Sequence, residues 1–299
     1  STVVQEKSSF IESFERFIES KGPTSPDWLN SLRREAIRHF EQVGLPTVRD
    51  EDWRFTNVAA IARTDFQTAP EEPPLIAKAA LDSLMIPGLE AIRLIFINGR
   101  YSQELSTSIP VSDGIIIKSF NQAWKDHEAL VQTHLAKYDH QGEGAFSALN
   151  LAFVEDGAFI FLPRGQLLEK PIHLLFIATE TTEPVAVYPR NLIVLEDHCR
   201  ATVVEHYTSL SSGVCLSNAV TEAVVGKESH LNHYLIELEN QSSYNISTLH
   251  SVQHRASTLE SHSVLLGGAL VRNNVHPVLL EEGCDCLVNG LFMPTGRQH

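Results

Sequence analysis

Hydrophobic and polar residues alternate in short segments through the second half of the chain, from about residue 159 onwards. Alternation with a period of two is typical of β-strands, because successive side chains point to opposite faces of a sheet. Turn-forming or polar residues interrupt the segments near Gly165, His198, Gly226, Ala256 and Gly283. The pattern predicts strands at residues 158–164, 171–179, 191–197, 201–209, 217–226, 230–239, 244–252, 258–268, 271–281 and 286–294.

This run of strands is compatible with a sandwich, a barrel or a parallel β-helix, and periodicity alone does not choose between them. Few two-residue hairpin signals follow residue 160, although antiparallel meanders usually contain them. Regular spacing is also typical of coils that stack in a solenoid. A stacked coil leaves a strand edge at its open end, and no polar cap or terminal helix precedes His299. We therefore expect the chain to continue, or another subunit to cover that edge.

The first half follows a helical pattern. In residues 8–20, Phe10, Phe14, Phe17 and Ile18 recur at helical spacing on one face.

A second helix is predicted to begin with Ser25 as its N-cap and Pro26 at its first position, and to end at Gly44 and Pro46. Its apolar stripe is formed by Trp28, Leu29, Leu32, Ile37 and Phe40.

Further elements follow before the β region begins. Residues 75–84 are compatible with a third helix, and Asn98-Gly99 predicts a hairpin because both residues tolerate the positive φ of a type I′ turn. Residues 120–138 read as one helix, and a last helix near 148–157 leads into the strands. The boundary is predicted near Asp156-Gly157. It divides a largely helical, α/β region at 1–157 from a mainly β region at 158–299.

The buried face of the helix at 120–138 is expected to carry Trp124, Leu130, Val131 and Leu135.

Composition narrows the class of protein. The 299 residues are 43% hydrophobic and carry a net charge of −14, which argues against nucleic acid as the main partner. No apolar run approaches the ~20 residues of a membrane span. The first residues show no secretory signal, and four cysteines in a chain of this length do not form a disulfide framework. A reducing, cytoplasmic setting fits best.

Histidine and cysteine supply the candidate metal ligands. Histidines in stacked coils could form a ladder at the ~4.8 Å spacing of neighbouring strands, and His276 and His299 are the candidates among them. Cys284 and Cys286 lie two residues apart in a predicted strand, so both are expected on one face, where thiolates could help to hold iron or zinc. A solvent-facing role for the histidines and a core role for the cysteines are the simpler interpretations. The histidines of the β region are His198, His206, His230, His233, His250, His254, His262, His276 and His299.

Several enzyme signatures are missing. Gly226-Lys227 is followed by Glu228 instead of Ser or Thr, so there is no phosphate-binding P-loop and no ATP hydrolysis by this chain is expected. Neither a G-x-S-x-G nucleophile elbow nor an H-E-x-x-H zinc motif occurs. The sequence thus gives no sign of these three kinds of catalytic site.

Longer stretches resemble the SufD family, whose members are subunits of the SUF iron–sulfur cluster assembly complex, SufBCD. Residues 50–57 (DEDWRFTN) are similar to an E-x-W-R-Y-T-N signature near the start of that family, and the similarity continues in order to the last residue. The motif positions for which a structural role is expected are Trp53, Arg54, Asn150, Gly267, Gly268 and Gly290. The matching stretches are residues 148–153, 156–159, 168–172, 188–191, 262–268, 272–273, 290–292 and 296–299.

The resemblance implies a right-handed parallel β-helix and a non-catalytic scaffold that pairs with a SufB-like subunit and a SufC-like ABC ATPase. It implies no tightly bound cofactor in the isolated chain, and a transient iron–sulfur cluster or iron in the complex. The sister subunit SufB has a cysteine motif in the region of residues 262–273, where this chain has none, which favours the SufD type. The helical C-terminal region with which the family docks on SufC is absent from this sequence.

The sequence is also compatible with two other interpretations: a β-helix carbohydrate-active enzyme, and a histidine-rich metal-binding protein that acts alone. Under the scaffold interpretation, Trp53 and Arg54 pack the helical region against the coil, since a guanidinium can stack on an indole. An isolated chain with an open strand edge could also form a homodimer.

Overall fold

The computed structural model describes residues 2–107, 113–138, 144–295 and 298, with side chains from Ser9 onwards. His299 and the neighbouring residues 296–297 of the last motif lie outside the described residues. The helices are α1 Thr2–Lys21, α2 Asp27–Val43, α3 Ala59–Arg63, α4 Lys78–Ser83, α5 Phe120–Asp126, α6 Glu128–His134 and α7 Ala145–Ala152, with 3₁₀ turns at Gly22–Thr24 and Glu51–Trp53.

The first two helices form where the apolar spacing predicts them, with one correction at a cap. All four apolar residues predicted for the buried face of α1 are buried. Pro26, not Ser25, is the N-cap of α2. The Ser25 hydroxyl instead donates to the Lys21 carbonyl and accepts from Arg33. Gly44 ends α2 with a φ of 65°, as the sequence predicts.

The helix predicted for residues 120–138 is two helices. The backbone at His127 adopts φ −136° and ψ 41°, which separates α5 from α6. Trp124, Val131 and Leu135 are nevertheless buried, because both helices turn their apolar sides to the same core.

The strands are β1 Gln67–Thr68, β2 Ile92–Ile97, β3 Arg100–Tyr101, β4 Ile116–Ser119, β5 Ala158–Leu162, β6 Ile172–Ala178, β7 Val185–Val187, β8 Arg190–Leu195, β9 Arg200–Ser209, β10 Cys215–Val225, β11 His230–Leu238, β12 Tyr244–Gln253, β13 Thr258–Leu265, β14 Leu270–Leu279 and β15 Asp285–Phe292. The predicted Asn98-Gly99 hairpin joins β2 to β3, with φ values of 48° and 82°.

The strands form two parallel sheets that face each other across a common core. Sheet A has the strand order β4-β5-β8-β10-β12-β14. The short strand β7 pairs with β10 on the same side as β8, and β1 pairs with β7. Sheet B runs β3-β2-β6-β9-β11-β13-β15. Among the described strands, only the β2–β3 and β4–β5 pairs are antiparallel. The result is a β-solenoid of about four turns behind a helical region, which confirms the parallel β-helix and excludes the antiparallel sandwich.

One corner of the solenoid repeats the same turn in successive coils. His198, Glu228, Ala256 and Gly283 occupy equivalent register positions, and all have a positive φ, between 54° and 75°. Three of the four are not glycine, so the coil geometry imposes this conformation on residues that do not favour it. Three of the predicted breaks, near His198, Ala256 and Gly283, coincide with these turns.

Helices of the first region pack on the outside of sheet A, α4 packs on the outside of sheet B through Leu81, and the strands β1–β4 join both sheets. The strand β5 begins at Ala158, next to the predicted boundary, but β1–β4 precede that boundary and pair with the solenoid. No helix within the described part of the chain is long and apolar enough to cross a membrane.

Candidate functional site

A line of polar side chains crosses three neighbouring strands of sheet B inside the solenoid. In β11, His233 Nδ1 lies 3.0 Å from Ser261 Oγ of β13, and His233 Nε2 contacts the Glu205 carboxylate of β9. Glu205 also accepts hydrogen bonds from the Tyr207 hydroxyl at 2.9 Å and from the Asn191 amide at 3.0 Å. Glu205 thus anchors a hydrogen-bonded network in an otherwise apolar core.

Ser261, His233 and Glu205 are arranged like the nucleophile, base and orienting acid of a catalytic triad, but their environment does not suit catalysis. Ser261 is 2% exposed and His233 is 3% exposed, so no substrate reaches the hydroxyl. Burial acts to raise the pKa of Glu205, but hydrogen bonds from His233, Thr221 and Tyr207 outweigh it and hold that pKa below its ordinary value. The network therefore fixes the packing of neighbouring coils.

Two further carboxyl groups, Glu237 and Glu239, meet at the end of β11. Both are buried, and Glu239 accepts hydrogen bonds from Ser217 and Asn245. Burial, and for Glu239 also the neighbouring Glu237 carboxylate, raises the pKa of each group. The pair thus retains a proton at pH values where an exposed glutamate is ionised.

A buried pair of imidazoles lies on the outer face of sheet B. His173 and His206 stack with their centroids 5.4 Å apart, and His173 Nε2 lies 3.2 Å from His206 Nδ1. Arg93 Nε donates to His173 Nδ1 at 3.0 Å. Burial lowers the pKa of His173 to about 3 and that of His206 to about 4, so both rings are neutral at pH 7.

The candidate metal ligands do not come together. Cys284 lies in the turn before β15, not in the strand, and its Sγ is 3.0 Å from the His254 carbonyl oxygen. Cys286 packs against the solenoid core, whereas His276 stacks on His250 on the outer face of sheet A. Within the described ranges, no three His, Cys, Asp or Glu residues are placed to hold a metal ion. His299 lies outside the described residues.

The motif residue Trp53 does hold the helical region to the solenoid, but its partner is not Arg54. The Arg272 guanidinium of β14 lies 4.0 Å from the Trp53 ring centroid, and Arg54 lies over Phe55 at 5.7 Å. Trp53 also contacts Phe146 at the start of α7, with ring centroids 5.3 Å apart. The packing role predicted for Trp53 agrees with this geometry, whereas the exposed Arg54 lies over Phe55, its neighbour in sequence, and the guanidinium that stacks on the indole is that of Arg272.

The motif residue Asn150 lies at a fully buried junction between α7 and sheet A. Its amide donates to the carbonyl oxygens of Pro189 at 2.7 Å and Asn218 at 2.9 Å, and its oxygen accepts from Arg190 at 3.0 Å. Arg190 in turn forms an ion pair with Glu222 of β10 at 2.9 Å, and both side chains are 0% exposed. These residues form the latch, defined here as Asn150, Arg190, Asn218 and Glu222.

The motif glycines differ in how closely the neighbouring coil approaches them. A Cβ on Gly267 would stand 2.3 Å from the Glu239 carbonyl oxygen, and Gly268 has a φ of 70°. At Gly290, by contrast, the nearest atom to a Cβ would be the Ser263 hydroxyl at 3.1 Å. Gly267 and Gly268 are therefore required by the backbone, while Gly290 has more freedom.

The sequence analysis assigned no role to the residues of the interior network or to any latch residue except Asn150, although Arg190 and Asn191 fall in the matching stretch 188–191. A signal was present, since Glu205 and Glu222 are charged residues in the interior of predicted strands, between apolar neighbours such as Val204 and Ala223. Their partners come from other coils and from the helical region, which no local pattern reveals.

Comparison with known proteins identifies the class. The family model for the SufBD protein N-terminal region matches residues 4–174, and the model for the SufBD core domain of SUF system FeS cluster assembly matches residues 176–299. The chain belongs to the SufBD family.

Individual relatives agree with that assignment. An iron–sulfur cluster assembly SufBD family protein of Synechocystis is 29% identical over 92% of this chain and 62% of its own length. The SufD protein of Escherichia coli is 28% identical over 88% of this chain and 60% of its own length, and SufB of Bacillus subtilis is 24% identical over 94% and 62%. The chain thus spans about three-fifths of the length of these relatives.

Proposed function

We propose that this chain is a SufD-like scaffold subunit of the SUF system, which pairs with a SufB-like chain and works with a SufC-like ABC ATPase. The observation that carries the proposal is the match of both SufBD regions, in order, to 4–174 and 176–299 of one chain. The latch, which joins the helical region to the solenoid through fully buried side chains, supports a rigid body suited to assembly.

A non-catalytic role is consistent with the interior chemistry. The Ser261–His233–Glu205 line is sealed, and the chain lacks a P-loop, so ATP hydrolysis is assigned to the SufC-like partner. Iron or a nascent cluster is then a transient cargo of the complex. The four cysteines are free thiols, which is consistent with the reducing cytoplasmic setting that we propose.

Co-expression of the full-length tagged protein with SufB-like and SufC-like chains tests this function. We expect all three to co-purify, and we expect the chain purified alone under anaerobic conditions to contain well under one metal ion per molecule. Stoichiometric tight metal in the isolated chain, with no co-purification, would support the stand-alone metal-binding interpretation instead. Hydrolysis of polysaccharides by the chain would favour the carbohydrate-active interpretation.

A further inference from the structure

Six apolar side chains form two rows on the outer face of sheet B, across its last three strands. They alternate along the strands with interior residues such as His233 and Glu237. In the first row Ile236 pairs in register with Val264, and Val264 pairs with Leu291; the second row lies two residues further along the same strands. These residues define the outer stripe: Ile236, Leu238, Val264, Leu266, Leu291 and Met293.

The exposure of the outer stripe is not an effect of a strand edge. Leu238 at the end of β11 is 42% exposed and Leu266 directly after β13 is 37% exposed, although both strands are paired on both sides. On sheet A, in contrast, every residue of β10 is buried, because helices cover that face. Parallel sheets are normally covered on both faces, and a contiguous exposed apolar patch marks an interaction site. The outer stripe therefore needs a cover that the described residues do not supply.

The same two rows are already covered by a helix where they begin. Through the strand pairing, they lead back across β9 and β6 to Ile95 and Ile97 of β2. There Leu81 of α4 packs with these two residues and with Leu175 and Ile177 of β6. A helix suits this surface, because one helical turn rises about 5.4 Å, close to the ~4.8 Å spacing of neighbouring strands. The cover expected over the outer stripe is therefore a second amphipathic helix.

The surroundings define the chemistry of that helix. The apolar sides of the other described helices already belong to the clusters that cover sheet A. A second copy of the chain is a poor occupant, because a stable dimer takes about 20–30 residues from each partner and the outer stripe offers six. The strands β11, β13 and β15 contain no Lys or Arg, and Glu260 and Asp285 stand on the same outer face. This negative charge favours a partner helix with Lys or Arg beside its apolar face.

We propose that the outer stripe binds an amphipathic helix of the SufB-like subunit, which carries apolar residues at i, i+3 and i+4 and basic residues beside them. The stripe ends on β15, the last described strand of sheet B, so a subunit that pairs with the free edge of β15 lies next to the stripe. The partner helix then extends the cover that α4 begins. This inference rests on the assembly function proposed above.

Site-specific cross-linking in the complex tests the position of the helix. The full-length protein is co-expressed with a SufB-like chain, with the photoreactive residue p-benzoylphenylalanine in place of Leu266 or, as the matched control, of Thr202. Thr202 lies on the same face in β9, outside the outer stripe. We expect position 266 to cross-link to a SufB-like peptide with helical apolar spacing, and position 202 to give little of this product. A cross-link from position 266 to a second copy, to another segment of the same chain or to no protein would overturn the inference.

A double variant measures the contribution of the outer stripe to binding. Leu238→Ser with Leu266→Ser should weaken the affinity for the SufB-like chain by about tenfold or more, because two apolar contacts at the interface are lost. The melting temperature should stay at the wild-type value, since both side chains are exposed, and the control Thr202→Ser should leave the affinity unchanged. Equal affinity of the double variant and the wild type would contradict binding at this surface.

The two levels of the account fail separately. If the wild-type protein does not bind the SufB-like chain, the assembly function itself is refuted. If the complex forms but neither the cross-link nor the loss of affinity is observed, only the helix on the outer stripe is refuted.

Discussion

Replacing Glu222 by Gln should be among the most damaging single changes to the stability of this protein. Glu222 is 0% exposed, and its Oε2 lies 3.0 Å from Arg190 Nε and 2.9 Å from Arg190 Nη2. The same carboxylate accepts from the backbone amides of Ala136 at 3.0 Å and Tyr138 at 3.3 Å. The substitution removes the negative charge while the Arg190 cation stays buried.

The expected loss follows from that uncompensated charge. Removing one partner of a buried ion pair lowers the free energy of unfolding by about 3–5 kcal/mol, against a total of about 5–15 kcal/mol for a typical domain. Glutamine keeps one acceptor oxygen but presents an NH₂ group to the remaining donors, so relaxation will recover little.

Urea unfolding followed by circular dichroism gives the measurement. Glu260→Gln is the matched control, because Glu260 forms only partly exposed contacts with His230 and His262 and should change stability by about 0–1 kcal/mol. The double variant Arg190→Met with Glu222→Gln should be more stable than Glu222→Gln alone. A loss below about 1 kcal/mol for Glu222→Gln would refute the energetic importance of the latch.

Three other perturbations test separate parts of the structure. Because burial raises the pKa of Glu239, the folded state binds its proton more tightly than the unfolded state. The free energy of unfolding should therefore fall as the pH rises from about 4.5 towards 8. Glu239→Gln should flatten this pH dependence in urea titrations. An unchanged slope would contradict the raised pKa of Glu239. Because burial lowers the pKa of His206 to about 4, stability should fall as the pH drops below about 6.5. His206→Phe should reduce that acid sensitivity, and equal acid sensitivity would show that another group is responsible. Gly267→Ala should lower the melting temperature by several degrees, because the added Cβ would stand 2.3 Å from a backbone oxygen. The control Gly290→Ala should change the melting temperature little. Equal shifts in the two variants would count against the close approach at Gly267.

Local pattern was sufficient to place most of the regular structure. Period-two alternation located the strands from β5 onwards except β7, which has only three residues, and the short strands β1 and β4 also escaped. The choice between sandwich and solenoid was beyond the pattern, because parallel and antiparallel strands share the same alternation. Strand direction depends on pairing between residues 26–30 positions apart, and the family resemblance, not periodicity, supplied it.

The candidate site residues also fall into two groups, those that local motifs identify and those that only long-range contacts reveal. Asn150, Gly267 and Trp53 were found because they fall in motifs, and the structure gives each a contact that explains its residue type. Arg272 also falls in a matching stretch, but its pairing with Trp53 could not be found in that way, since the two residues lie more than two hundred positions apart and Arg54 is the nearest candidate in sequence. Contacts of this kind join residues that only the stacking of the coils brings together.

Native mass spectrometry of the tagged full-length protein, purified anaerobically from its own cells, tests the scaffold role most directly. A complex that contains this chain, a SufB-like chain and a SufC-like ATPase in fixed stoichiometry is the predicted result. A chain that is recovered alone at the same expression level, with neither partner at any detectable mass, would contradict the role.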